Sequence, residues 1–339
     1  MRSDKPLSRR DLLRRGAFGV AGLAAASRAL SAADRKLAPG VAHAAHDPAS
    51  AATQGVLREG GLDPAAFLEH FDYGTTSRRA DGTVVREYQI TAVDREIEVA
   101  PGVFYPAWTY NGQVPGPTLR CTEDDFVRVH FTNAGTHPHT IHFHGIHPAK
   151  ADGVFEIVHP GQSFLYEFTA TPAGLQLYHC HAMPLKRHIA KGLYGTFIID
   201  PKRPRPPARE MVMVLNGFDT NFDNENEIYA VNTIPFAYHH DPIRVRKGEL
   251  QRIYMVNLLE FDLINSMHLH GNFFQVYRTG TSVMPDEFTD TLVFCQGERH
   301  ILEFTYEHTG PFMFHAHQSE FAELGWMGVF DVVDGEAVA

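Results

Sequence analysis

The chain has 339 residues, 44% hydrophobic and 21% charged, with 24 Phe and 12 Tyr. That composition excludes a disordered, collagen-like or coiled-coil protein, and at roughly 100–150 residues per domain it points to two globular domains. A formal charge of −10 speaks against nucleic acid as a partner. The first 33 residues carry seven basic and two acidic side chains, so removing their net +5 takes the charge to −15. Beyond them no apolar run approaches the ~18 residues of a membrane span, so none is expected in the mature chain. The unusual count is 21 histidines, beside 3 cysteines that cannot build a disulfide framework.

In chain order, Ser8-Arg9-Arg10-Asp11-Leu12-Leu13, the small-residue apolar stretch from Gly16 to Ala26 and the Ala-rich end at Ala33 resemble a twin-arginine export signal over residues 1–33. That resemblance implies a periplasmic or exported protein. Residues 34–85 read as a lead-in, in which Asp63 as N-cap and Pro64 at the first helical position open a short helix through His70. From Arg86 the period changes to two, as in Phe126–Phe131, Phe164–Phe168 and Gly195–Ile199, with Gly, Pro, Asn and Asp between the runs. Residues 86–202 are therefore expected to form a β-sandwich. A Pro-rich linker (203–210) follows, and the second half (211–335), opening on the strand Met211–Leu215, repeats the order of the first.

Four His-x-His pairs stand out: His142/His144, His179/His181, His268/His270 and His315/His317. Residues i and i+2 of a strand share a face, so each pair can offer two imidazoles to one metal site. By the same parity Cys180, between His179 and His181, faces a different site, and so does His139 relative to His142 and His144. A thiolate with two imidazoles, Cys180 with His139 and His188, is the set that selects copper for electron transfer. Cys180 would then link two metal sites covalently. Cys121 and Cys295 lack such company and read as buried strand residues.

These motifs resemble the multicopper oxidases, especially the small two-domain laccase-like members, over roughly residues 86–335. His139-x-x-His142-x-His144-Gly145 is similar to the family's first copper motif. His179-Cys180-His181 with His188 and Gly192-Leu193-Tyr194-Gly195 is similar to its Cys motif, and the two second-domain pairs to their counterparts. The resemblance implies an all-β chain of two tandem cupredoxin-like Greek-key sandwiches. It also implies a homotrimer with trinuclear sites between subunits and about four coppers per chain. His142 and His268 would hold the type 2 copper. His144, His179, His181, His270, His315 and His317 would hold the type 3 pair, and His139, Cys180 and His188 the type 1 copper. In the second domain Asn265, Ala316, Phe321 and Trp326 stand where another type 1 set would fall, so that copper belongs to domain 1 alone. The usual axial position falls on Leu193, which has no lone pair; the soft donor nearby is Met183, taken as the axial candidate.

The implied reaction is one-electron oxidation of a small donor at the type 1 copper, with electrons delivered through Cys180 and its flanking histidines to O2, which becomes water. Oxygen reduction consumes protons, and Asp152, in an Asp-Gly pair eight residues after His144, is the expected acid, with Glu320 and Asp290 behind it. A phenol, a metal ion or a small redox protein would leave the same ligand pattern, and an acidic surface favours cationic donors. Copper nitrite reductase is the nearest alternative, but it needs three histidines at one type 2 copper, and eight suit three coppers better. A zinc hydrolase is disfavoured by Ile146, where an aspartate would be needed. A non-enzymatic copper-binding or electron-transfer protein would take up copper without consuming oxygen.

Overall fold

The computed structural model describes the backbone of Leu57–Arg58 and residues 61–335; the expected export signal lies outside the described residues. Asp63 caps the helix Pro64–Leu68 as its sequence requires, its carboxylate accepting from the amides of Ala65 and Ala66. No helix among the described residues is long and apolar enough to cross a membrane.

Strands dominate and stack as four layers. In the first, Thr75–Arg78, Val84–Ala100, Phe126–Asn133 and Ser163–Thr169 lie in that order, with Val103–Tyr110 paired to Val84–Ala100. The second runs Leu119–Thr122, Tyr194–Asp200, Gly174–His179, His142–Phe143. The third begins with Ile228–Val231, Arg209–Phe218, Gln251–Asn257 and Arg299–Phe304 and ends in Phe274–Arg278 and Glu287–Thr289. The fourth is Ile243–Arg246, Met327–Val333, Gly310–His315, Ile264–Leu269, Thr291–Cys295. Parallel pairs recur at matching places: Val84–Ala100 with Phe126–Asn133 and Leu119–Thr122 with Tyr194–Asp200 in one half, Arg209–Phe218 with Gln251–Asn257 and Ile243–Arg246 with Met327–Val333 in the other. The fold is all-β and cupredoxin-like, repeated in tandem.

Three cores hold the layers. Tyr88, Phe131, Phe143, Tyr178 and Phe197 pack inside the first sandwich; Met213, Met255, Met267, Phe314 and Trp326 pack inside the second. Between them Leu175, Leu177 and Ile198 meet Val212, Val214, Tyr254 and Val256. The two middle sheets are thus apolar on both faces, which is why Met211–Leu215 reads as a continuous apolar run instead of alternating. Beside this seam, Arg120 makes paired hydrogen bonds to Asp200 (2.8 and 2.9 Å) and reaches Glu210 at 2.6 Å, while Arg252 bonds both Glu210 (3.0 Å) and Glu303 (2.6 Å). Each buried guanidinium is matched by carboxylates, which fixes how the sandwiches meet.

Three expectations need correction. Thr75–Arg78, placed in the lead-in, is an edge strand of the first sheet, and Arg209–Phe218 begins inside the expected linker. Thr75–Arg78 is exposed along its whole length, so it carries no alternation to read. Cys121 is buried as expected, but Cys295 ends its strand exposed, and both thiols are free.

Candidate metal centre

The strand Gly174–His179 carries the parity argument in its packing. Tyr178 and then Cys180 point into the first sandwich core, whereas Leu175 and Leu177 face the seam, and His179 shares their parity. Ile141 and Phe143 enter the same core as Cys180, so His142 and His144 face away from it. His139, of the same parity as Ile141 and Phe143, is anchored by backbone bonds of 3.0 Å each way with Val158 and is fully buried. His188 comes from the helix Leu185–Ala190.

Three side chains converge here. Nδ1 of His188 lies 3.2 Å from Cys180 Sγ, Nδ1 of His139 lies 4.0 Å from it, and the two nitrogens are 3.2 Å apart. The Thr140 amide donates to the sulfur at 3.4 Å. Burial drives the pKa of His139 and of His188 down to about 4 and pushes the Cys180 thiol up. Two neutral imidazoles with Nδ1 turned towards a thiol, all buried, fit a soft transition metal, and the donor set is that of an electron-transfer copper. Trp108 roofs the group, its ring 4.8 Å from that of His188 and 5.3 Å from that of His139.

Met183 does not join this group. It is 79% exposed, whereas Leu193 is fully buried in the core that holds Cys180, and the Cys180 amide donates to the Leu193 carbonyl at 2.9 Å. The expectation that Met183 supplies an axial donor is therefore corrected: the apolar Leu193 is the side chain packed with the cysteine.

On the other face of the same strands lies a quartet of imidazoles. The ring of His142 sits 5.1–5.5 Å from those of His144, His179 and His181, and Nε2 of His144 lies 3.3 Å from Nε2 of His179. Nδ1 of His142 donates to the Asp152 carbonyl (2.7 Å) and that of His179 to the Cys180 carbonyl (2.9 Å), which leaves each Nε2 a lone pair. The Asp152 carboxylate is 3.1 Å from His142 Nδ1. His147 bonds the Phe143 carbonyl through Nε2 at 2.8 Å and so serves the scaffold.

The second sandwich repeats the design. Ring distances of 5.0–5.6 Å join His268 to His270, His315 and His317, and the Nε2 atoms of His270 and His315 lie 3.0 Å apart. Nδ1 of His268 donates to the Asp290 carbonyl (2.9 Å) and that of His315 to the Ala316 carbonyl (2.6 Å), matching Asp152 and Cys180. Asp290 is thus the counterpart of Asp152, while Glu320 is exposed on the helix Ser319–Glu323. Where the second half lacks a type 1 set, its site is filled: Trp326 Nε1 donates to Asn265 at 3.0 Å and Phe321 stacks on Tyr229 at 4.1 Å.

Two hydroxyls escaped the sequence reading. Thr140 accepts from the His181 amide at 2.9 Å, and Ser266 from the His317 amide at 2.8 Å. Each stands two residues before its domain's first paired histidine, and that shared offset was the available signal.

The quartets do not meet within one chain. One lies on the second layer and the other on the fourth, with the third between them, and no metal-competent group among the described residues mixes the two. The second quartet is the more open: His270 and His317 are exposed, and His268 and His270 line a cleft of about 570 Å³.

Burial also sets a pH dependence. His139, His179 and His188 are held near about 4 and His144 near about 3, from an ordinary 6.5. Below pH 6.5 the unfolded chain takes up protons that the folded chain refuses, so stability falls with pH. The urea midpoint of metal-free protein is expected to drop from pH 7 to pH 5 and further towards pH 4. An unchanged midpoint would contradict these neutral, buried imidazoles.

Residues 92–204 and residues 204–336 match two family models, each described as multicopper oxidase. A solved multicopper oxidase is 56% identical, with a TM-score of 0.80 over 81% of this chain and 98% of its own. A blue copper oxidase from Nitrosomonas europaea is 28% identical, with a TM-score of 0.66 over 73% of this chain and 86% of its own. The copper-containing nitrite reductase of Neisseria meningitidis is 29% identical over 66% of this chain, a match that spans 63% of that relative's length.

Proposed function

The chain belongs to the multicopper oxidase family, and from that premise we propose a two-domain, laccase-like enzyme that oxidises a small donor one electron at a time and reduces O2 to water. The reading extends to a homotrimer, periplasmic or exported, with about four coppers per chain. The observation that carries it is the pair of matched imidazole quartets, one per sandwich, each Nδ1-anchored in the same way and set apart within the chain. A neighbouring subunit would bring the first quartet of one copy against the second quartet of the next. Exposed apolar side chains flank both, Ile146 and Phe155 on one side and Phe273 and Phe288 on the other, as a subunit contact requires.

Copper held by His139, Cys180 and His188 and by the two imidazole quartets would supply the one-electron redox chemistry that the reaction needs. Cys180 supplies a covalent path, since its backbone neighbours His179 and His181 belong to the first quartet. Asp152 orients His142 through its carbonyl, and its partly exposed carboxylate, 3.1 Å from the same ring nitrogen, can hold a solvent proton at the edge of the first quartet.

The likeness to nitrite reductases favours a second reading, nitrite reduction at a single copper. It leaves most of the eight paired histidines without work. In an oxygen-electrode assay with excess phenolic donor, about four donors should be consumed per O2 without peroxide release, and nitrite should not be reduced. Reduction of nitrite with no oxygen uptake would replace the first reading by the second.

A further inference from the structure

A cleft of about 570 Å³ opens between the sandwiches, on the outer side of the helix that carries His188. Its walls are cationic and aromatic. Lys186 Nζ sits 4.5 Å over the Phe261 ring, Lys191 Nζ lies 4.7 Å from the centre of Tyr105 and 4.5 Å from that of Phe222, and the Arg187 guanidinium lies 5.1 Å over Trp108. Among the described residues none of the three forms a salt bridge with a carboxylate, and Lys191 Nζ donates to the Pro106 carbonyl at 3.0 Å. Asp219 is the carboxylate in the wall, and its oxygens are taken by the amides of Asp223 (3.1 Å) and Asn224 (2.8 Å); Glu260, which feels Lys186 electrostatically, forms no ion pair with it. Among the lining residues three cations thus face one carboxylate, Asp219, which acts on Lys191 electrostatically and is grouped with Asp223 and Glu227.

The cleft also adjoins the cysteine site. Arg187 covers Trp108, and Trp108 packs on the rings of both His188 and His139. The helix that lines the cleft through Lys186, Arg187 and Ala190 is the one that carries His188.

We propose that this interdomain cleft is the donor site and that it selects small aromatic carboxylates, whose ring lies on the aromatic walls and whose carboxylate meets Lys186, Arg187 and Lys191. This rests on the oxidase reading and gives it a substrate class opposite in charge to the one the acidic surface suggested. A phenolic benzoate bound there gives up one electron to the site of His188 and Cys180 and its phenolic proton to solvent, leaving a phenoxyl radical. Four such events supply the electrons and release the protons that convert one O2 to two waters.

The test compares 4-hydroxy-3,5-dimethoxybenzoate with 2,6-dimethoxyphenol, which differ by the carboxylate, on the whole metallated protein. Native enzyme should show the higher kcat/KM for the benzoate. Lys186→Gln with Lys191→Gln should lower the benzoate-to-phenol ratio roughly tenfold, and Lys186→Arg alone should preserve it. Binding of 3,4,5-trimethoxybenzoate, which has no phenolic hydroxyl to lose, is read by calorimetry and should weaken by a similar factor in the double variant; Lys186→Gln alone, on an exposed residue, serves if that variant folds poorly. Oxygen uptake that ignores both the carboxylate and the substitutions overturns the cleft and leaves the oxidase standing. Carboxylate-dependent binding with no oxygen uptake from either donor overturns the donor role together with the oxidase reading.

Discussion

Cys180→Ser is expected to remove the intense visible copper–thiolate absorption and to lower donor-driven oxygen uptake by at least ~10³-fold, about 4 kcal/mol of barrier. The sulfur is the one soft donor placed with His139 and His188, and a serine oxygen at that position is neither soft nor ionised. Its position between His179 and His181 makes the loss twofold, of an electron acceptor and of a covalent connection. The quartets themselves are untouched, since their imidazoles stand on the opposite face of the strand. Copper content should therefore fall by about one per chain and no further. Retained colour, or uptake within tenfold of native, would place the acceptor elsewhere.

The complementary variant, His315→Ala with His317→Ala, is expected to do the reverse. The colour should persist and bleach on adding donor, because the Cys180 site is in the other sandwich, but reoxidation by O2 should fail. His315 Nε2 faces His270 Nε2 at 3.0 Å, so its removal breaks the second quartet at its centre. His317 is exposed, so the fold should tolerate the change. Rapid-mixing absorbance after reduction separates the two steps. Oxygen-driven return of the colour at the native rate would show that the second quartet takes no part. Together the variants divide the account into donor oxidation and oxygen reduction, each assigned to named residues.

Much of this was legible because side chains alternate faces wherever the backbone is extended. That Cys180 and His139 each face away from the paired histidines follows from side-chain alternation, and the fold adds that the two meet, with His188. The lack of a second cysteine site was implied by the resemblance, which puts Asn265, Ala316, Phe321 and Trp326 at the ligand positions, and the structure adds that Asn265 and Trp326 bond each other. What escaped depends on longer-range geometry. Met183 and Leu193 lie in the segments flanking the helix Leu185–Ala190, and no periodicity says which one turns inward. Thr140 and Ser266 act through backbone amides of another strand, and side-chain chemistry does not advertise that role. The cationic cleft joins residues from both sandwiches, so net charge alone suggested the opposite sign of donor.

The cysteine site is expected to hold one copper and the two quartets together three, in one assembly. Elemental analysis of the fully metallated, purified protein, with zinc counted in the same sample, tests it most directly. About four coppers per chain are expected, one beside Cys180 and three between the quartets; about two coppers per chain, or zinc in their place, would contradict it.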